Sequence, residues 1–268
     1  MKTNTCCLLQ LAAALLTAQV SHAQYALFDQ NTDTIAFSGN TILGTTTTYE
    51  AIVSLSNPAY GSIFFEQINS QEHKQIALSS TLLRGIGFTL PLNTPYFDAA
   101  TSISLNVFHH VAFVRDGSDE RLYLDGGLLA SRSVVGDIDD ALQIGHPGAI
   151  GASQFDTTNA SEPSFLGLLN TVRVSNVARY SGASFAAPSG DLMSDANTLL
   201  LYNFNPEEVS GSTITDLSGN GHTGTFASGF TGATAPTIVP EPSSVALLLL
   251  GGAFCLRRRS LRTHERNA

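Results

Sequence analysis

Between residues 24 and 241 no segment of this chain sustains an apolar stripe at the 3.6-residue spacing of a helix. Its apolar residues alternate instead, and alternation marks strands with one face on a core, because successive strand side chains point to opposite faces. Tyr49, Ala51, Val53 and Leu55 share one face of such a run. Residues 101–107 repeat the pattern, with Ile103, Leu105 and Val107 opposing Ser102, Ser104 and Asn106, which predicts a half-buried strand. Leu122 with Leu124, Leu166 with Leu168, and Val172 with Val174 continue the theme. Strands without intervening helices must pack sheet on sheet. The expected fold is therefore all-β, a two-sheet antiparallel jelly-roll sandwich. An N-terminal signal helix and a C-terminal apolar helix are expected to flank it.

Turn chemistry supports this reading. In Arg121-Leu122-Tyr123-Leu124-Asp125-Gly126-Gly127-Leu128-Leu129, Asp-Gly lies between two apolar strands. Both residues tolerate positive φ, so the pair favours a tight hairpin and Asp125 reads as a turn residue rather than an acid or ligand. The run Asp216-Leu217-Ser218-Gly219-Asn220-Gly221-His222 reads as a surface loop. All three cysteines, Cys6, Cys7 and Cys255, lie in the end segments. The body can thus hold no disulfide, cysteine zinc site or cysteine nucleophile.

The formal charge of -9 conceals an uneven distribution. Residues 24–241 carry 7 Lys+Arg and 21 Asp+Glu, a net of 7 - 21 = -14, whereas residues 242–268 carry 5 Arg and 1 Glu, a net of +4. An acidic body argues against nucleic acid, whose phosphates are gripped by Lys and Arg. It suits neutral sugars, cations or basic partners.

The two ends read as addresses. Lys2, the apolar stretch 8–20 and Ser21-His22-Ala23 form a secretory signal peptide over residues 1–23, cut between Ala23 and Gln24. At the other end, Pro240-Glu241-Pro242 precedes an apolar run at 245–256 and the basic stop Arg257-Arg258-Arg259. This order suits a membrane segment with its arginines in the cytoplasm. The run is only about 18 Å long as a helix, at roughly 1.5 Å per residue, and is short for a stable span. The tail, residues 239–268, resembles the PEP-CTERM sorting signal. That resemblance implies recognition of Pro240, Glu241 and Pro242 by an exosortase-type membrane enzyme, a Gram-negative host, and a membrane-anchored precursor destined for the envelope, surface or extracellular matrix.

A second resemblance lies in the body. Phe108-His109-His110-Val111-Ala112-Phe113-Val114-Arg115-Asp116 leads into Tyr123-Leu124-Asp125-Gly126, then Leu142-Gln143-Ile144-Gly145. Phe165-Leu166-Gly167 opens Val172-Arg173-Val174-Ser175-Asn176-Val177-Ala178-Arg179-Tyr180. Phe185 and Pro188, then the run from Asp195 to Phe204 and Asp216-Leu217-Ser218-Gly219-Asn220-Gly221 complete the order. It resembles the laminin-G-like, or concanavalin A-like, jelly-roll domain of bacterial surface proteins. The resemblance implies residues 24–226 as one such domain. Residues 227–238 belong to a stretch rich in Gly, Ala, Thr and Pro and read as a flexible spacer before the tail. Members of that family mostly bind glycans or proteins, and some bind calcium. This chain departs from it in having no tryptophan. Tyr60, Tyr96, Tyr123 and Tyr180 are the aromatics that stand in as candidate sugar platforms.

Other candidate chemistry is sparse. His109 and His110 are consecutive on a strand, so they point to opposite faces and cannot chelate one metal together; one is expected to pack and the other to face solvent. Asp137, Asp139 and Asp140, with Asp156, are candidate Ca2+ ligands, although the spacing does not fit an EF-hand loop. Jelly-roll glycosidases often carry Glu-x-Asp-x-x-Glu on one strand, and no such run exists here. The expectation is a non-enzymatic surface or matrix protein acting by adhesion, or alternatively a glycan-binding module for exopolysaccharide, with or without calcium. Asn159-Ala160-Ser161 fits a glycosylation sequon that carries little weight in a bacterial protein.

Overall fold

A computed structural model of the chain describes residues 24–38, 41, 45–67, 73–87, 96–134, 148–151, 153–154 and 160–240. The first strands are β1 (Gln24–Phe28), β2 (Thr34–Phe37), β3 (Thr46–Leu55), β4 (Gly61–Gln67), β5 (His73–Ser79), β6 (Leu82–Gly87) and β7 (Phe97–Ala100). Next come β8 (Phe108–Asp116), β9 (Asp119–Leu124), β10 (Gly127–Ser133), β11 (Gly148–Gly151), β12 (Ser153–Gln154) and β13 (Ala160–Glu162). The last are β14 (Gly167–Ser175), β15 (Thr198–Tyr202), β16 (Val209–Ser210), β17 (Thr213–Ile214), β18 (Gly224–Phe226) and β19 (Thr237–Pro240). Among the described residues there is no helix. The flanking helices expected at the two ends lie outside them.

Two large sheets form. The first runs β10-β9-β8-β3-β14-β1-β19, with β15 also on β14; the second runs β16-β17-β18-β2-β11-β4-β5-β6-β7. β12 and β13 make a small third sheet. β14 is the hinge of the first sheet. One of its edges pairs with β3 throughout, while the other takes β1 at residues 167–169 and β15 at residues 172–175. Between the sheets lies one apolar core, including Phe28, Phe37, Tyr49, Phe64, Phe113, Phe165, Tyr202 and Phe204. Burying such side chains is the main driving force for the fold, at roughly 1.5–3 kcal/mol each.

The alternation in β3 selects the core face as expected: Tyr49, Ala51, Val53 and Leu55 all enter the core. The strand is not half-buried, however. Glu50, Ile52 and Ser54 on the opposite face are buried too. The segment 176–187 accounts for much of this cover. Thr48 donates from Oγ1 to the carbonyl of Val177 (2.7 Å) and accepts from the Arg179 amide (3.0 Å). The Tyr123 hydroxyl donates to the Gly182 carbonyl (3.0 Å), and the Leu128 amide donates to Ala183 (3.0 Å). Ala112, Val114 and Tyr123 thereby form a second small core with Ala178, Tyr180 and Phe185.

The Asp125-Gly126 hairpin forms between β9 and β10 as the sequence demands, with φ of 50° and 78°. Gly126 is required twice over. Its φ is left-handed, and a Cβ there would meet the Phe185 carbonyl oxygen at 2.2 Å.

Two expectations fail. Residues 101–107 are not a strand. Ile103 is buried, but Leu105 and Val107 are exposed, and Asn106 sits at φ 59°. This segment carries the chain from β7 in the second sheet to β8 in the first, so its amides make isolated long-range bonds rather than a ladder, Ile103 to the Ser80 carbonyl and Asn106 to that of Leu55. Alternation there had no ladder to join. Residues 227–238 also differ from a free spacer. The Ala227 amide donates to Thr34, the Thr234 amide donates to Thr32, and Thr34 donates back to Thr234. β19 then takes a place beside β1, and Gln24–Val239 forms one compact unit. The Gly, Ala and Thr content that suggested a linker also allows close packing along an edge.

Candidate functional site

Of the four tyrosines that could face a sugar, the fold removes two. Tyr123 is buried beneath the 176–187 segment, and Tyr180 is stacked on Phe185 with ring centroids 3.7 Å apart. The other two, Tyr60 and Tyr96, come together around Arg84. In β6, Leu83 faces the core and a Cβ at Gly85 would also point there, so Arg84 between them projects from the outer face of the second sheet. In β7, Phe97 and Ala99 are buried, and Asp98 faces outward directly opposite Arg84 in the ladder.

Three of the five N–H donors of the Arg84 guanidinium are engaged. Nε donates to Asp98 Oδ1 at 2.7 Å and Nη2 to Oδ2 at 2.8 Å, a two-pronged ion pair. Nη1 donates to the Tyr60 hydroxyl at 3.2 Å. Its central carbon lies 3.8 Å from the Tyr96 ring centroid and 5.0 Å from that of Tyr60. The Asp98 hydrogen bonds raise the arginine's pKa further, so it is charged at any working pH. Tyr96 is 51% exposed. The result is a surface patch with an open aromatic ring beside carboxylate and phenol oxygens. Such a set can stack a sugar ring and accept hydrogen bonds from its hydroxyls.

A chemically similar set lies buried on the outer side of the first sheet. Glu50, with no exposed surface, accepts from His110 Nε2 (3.0 Å), Arg173 Nε (2.8 Å) and the Tyr180 hydroxyl (2.6 Å). Arg179 lies 3.8 Å away and forks onto Asp195. Burial pushes the Glu50 carboxyl up, but the His110 and Tyr180 hydrogen bonds and the Arg173 charge outweigh it and hold the group below its ordinary range. Burial and the Glu50 charge push the Tyr180 phenol up. This hub fastens strands β3, β8 and β14 to the covering segment.

The paired histidines behave partly as expected. His110 joins the hub. His109 binds Asp125 Oδ2 at 2.7 Å, and its side chain is only 11% exposed, so neither histidine is the surface residue expected of one of them. The alternation that separates them puts one under the covering segment and the other against the hairpin turn. Asp125 is the turn residue predicted and also a clamp, since Oδ1 accepts from the His110 amide.

The remaining sequence candidates fall elsewhere. Asp137, Asp139, Asp140 and Asp156 lie outside the described residues, and so do Ala23, Glu241, Pro242, Arg257, Arg258 and Arg259. Gln24 opens β1 and Pro240 closes β19. Among the described residues no group of three or more His, Cys, Asp or Glu could hold a metal ion. Sequence reasoning missed Arg84, Asp98, Glu50 and Arg173. Glu50 and Arg173 carried one usable signal: charge in the middle of an apolar strand. Arg84 carried the same signal within β6, but its meeting with Asp98 carried none, because only strand register makes them neighbours.

Residues 29–182 match the model of the Laminin_G_3 family, described as the concanavalin A-like lectin/glucanases superfamily. No curated protein matches the chain. A solved protein of Bacteroides ovatus, described as a candidate carbohydrate binding protein, is similar with 17% identity and a TM-score of 0.63. The match covers 84% of this chain and 61% of that one, so this chain spans less than two thirds of its length. A heptameric SAP-like pentraxin of Limulus polyphemus is similar at 17% identity over 61% of this chain and 80% of its own, TM-score 0.46. A CBM40 of a Ruminococcus gnavus sialidase, solved with α2,3 sialyllactose, is similar at 14% identity over 59% and 93%, TM-score 0.48. At these identities the likenesses speak to fold. With its two antiparallel sheets and the match across residues 29–182, this chain belongs to the concanavalin A-like lectin/glucanases superfamily.

Proposed function

We propose that this chain is an exported, non-enzymatic glycan-binding module of the cell surface or extracellular matrix. The observation that carries the reading is the platform of Tyr60, Arg84, Tyr96 and Asp98. It is an exposed ring just before β7 with acceptor oxygens beside it, held together by Arg84 and Asp98 across the β6–β7 ladder. Preorganisation of this kind limits the ordering cost of binding. The Bacteroides ovatus structure, described as a candidate carbohydrate binding protein, supports the same direction. The sequence has no Glu-x-Asp-x-x-Glu run, the pattern that jelly-roll glycosidases often carry on one strand, and this supports a binding rather than a hydrolytic role.

The proposal extends to both ends. Residues 1–23 direct export with a cut between Ala23 and Gln24. An exosortase-type enzyme reads Pro240, Glu241 and Pro242, and the segment 245–256 with Arg257, Arg258 and Arg259 holds the precursor in the membrane until then. Asp137, Asp139, Asp140 and Asp156 are the calcium ligands if binding needs the ion. A second reading, adhesion to protein, draws on the exposed Leu105, Val107 and Phe108, with Tyr25 packed against Phe108 at 4.8 Å.

The test is a glycan array probed with the full chain, with calcium and with chelator. Saturable binding that falls about tenfold or more in Tyr96→Ala supports the module. Binding that disappears with chelator brings the aspartates in. No binding in either condition defeats the glycan reading and favours adhesion through the apolar patch. Mass spectrometry of the exported protein tests the tail: a Glu241→Ala chain that is processed normally would defeat the sorting proposal.

A further inference from the structure

If the platform is the glycan site, one of its residues decides which glycans it takes. We infer that Asp98 restricts the site to neutral sugars by occupying the Arg84 guanidinium; the inference rests on the glycan-binding reading of this platform. An exposed arginine beside stacked aromatics would ordinarily grip the carboxylate of a uronic or sialic acid with its two-pronged fork. Here the Nε/Nη2 fork is filled. Nε and Nη2 are on Asp98, Nη1 is on Tyr60, and Tyr96 covers the face of the group. An acidic sugar would have to expel Asp98 to use that fork, and the two N–H donors that remain lie between Asp98 and the Tyr60 hydroxyl.

The layering points the same way. The Arg84 side chain is 15% exposed and that of Asp98 34%, so the cation is the inner partner and the carboxylate the outer one. A ligand arriving at Tyr96 meets acceptor oxygens, which suit sugar hydroxyls and repel sugar carboxylates. No other described arginine is available to offset this. Arg121, Arg132, Arg173 and Arg179 each hold a carboxylate, and Arg115 is fully buried. The net charge of -14 over residues 24–241 adds a repulsive field for any polyanion.

The experiment uses the full chain as wild type, Asp98→Asn and Tyr96→Ala. The probes are neutral hexose and pentose oligosaccharides on one array, and polygalacturonate and alginate on another. The wild type is expected to bind a neutral probe with little dependence on salt, and to bind the uronates at least about tenfold more weakly. Asp98→Asn keeps the stacked rings but frees the guanidinium. It is expected to gain about tenfold on the uronates, in a manner that salt screens. Wild-type binding of uronates equal to that of neutral probes overturns the inference while leaving the module a glycan binder. So does an Asp98→Asn protein of unchanged melting temperature whose preference is also unchanged. Should that variant fail to fold, the wild-type preference and its salt response still decide. Neutral binding that survives Tyr96→Ala moves the site off this platform, and silence of the wild type on both arrays overturns glycan binding itself.

Discussion

The outer faces of the two sheets carry nearly the same chemical kit, arginine, carboxylate and tyrosine, and use it for different ends. On the first sheet Glu50 gathers His110, Arg173 and Tyr180 under the 176–187 segment, with no solvent access. On the second, Arg84 gathers Asp98, Tyr60 and Tyr96 at the surface. In the first set the carboxylate is innermost, and every approach to it is filled by the protein's own donors. In the second the cation is innermost, leaving oxygens and an aromatic ring for an outside partner. Burial turns the first set into a fastening, because a buried charge deprived of a partner is costly. Exposure makes the second energetically modest for folding, since water screens the pair.

This contrast breaks most readily at Glu50. Glu50→Ala should cost about 3–5 kcal/mol in urea unfolding, since it strands Arg173 beneath the covering segment. A loss below about 1 kcal/mol would mean the hub fastens nothing. Tyr180→Phe removes one hydrogen bond to the same carboxylate and should cost about 1.5–3 kcal/mol, with the Phe185 stack kept. If the loss is no larger than for a surface change, the segment is held by its apolar contacts alone.

Acid sharpens the comparison. The Glu50 carboxyl is held below its ordinary value in the folded protein, so its contribution is fully present above the unfolded range near 4.3 and fades as pH falls below it. Urea midpoints measured at neutral pH and again well below that range should fall further for the wild type than for Glu50→Gln, which has no proton to take up at this position. Equal falls would place the acid sensitivity elsewhere. The smallest effect on stability belongs to the exposed pair. Asp98→Asn should change it by less than about 1 kcal/mol, read by the same unfolding curves. A larger loss would make the platform a structural element like the hub and erase the contrast.

Legibility in the sequence followed how local the cause was. The Asp125-Gly126 hairpin was readable because positive φ at two residues is a local demand. The core face of β3 was readable because period-2 alternation is local as well. Residues 101–107 misled for the same reason: they alternate, but no neighbouring strand is there to pair with. Tyr123 and Tyr180 misled differently. Their rings are suited to a sugar, but a segment more than fifty residues further on covers the first, and Phe185 stacks on the second.

By itself the sequence determined the all-β class, the cysteine-free acidic body and the main hairpin, since composition, period and turn chemistry require only near neighbours along the chain. The tertiary structure alone decided which tyrosines remain accessible, and that Arg84 meets Asp98 across a ladder while Glu50 meets Arg173 across another. Register between strands is fixed by the packing of the whole core, not by the residues that happen to be brought together, and a site assembled in that way leaves no motif behind.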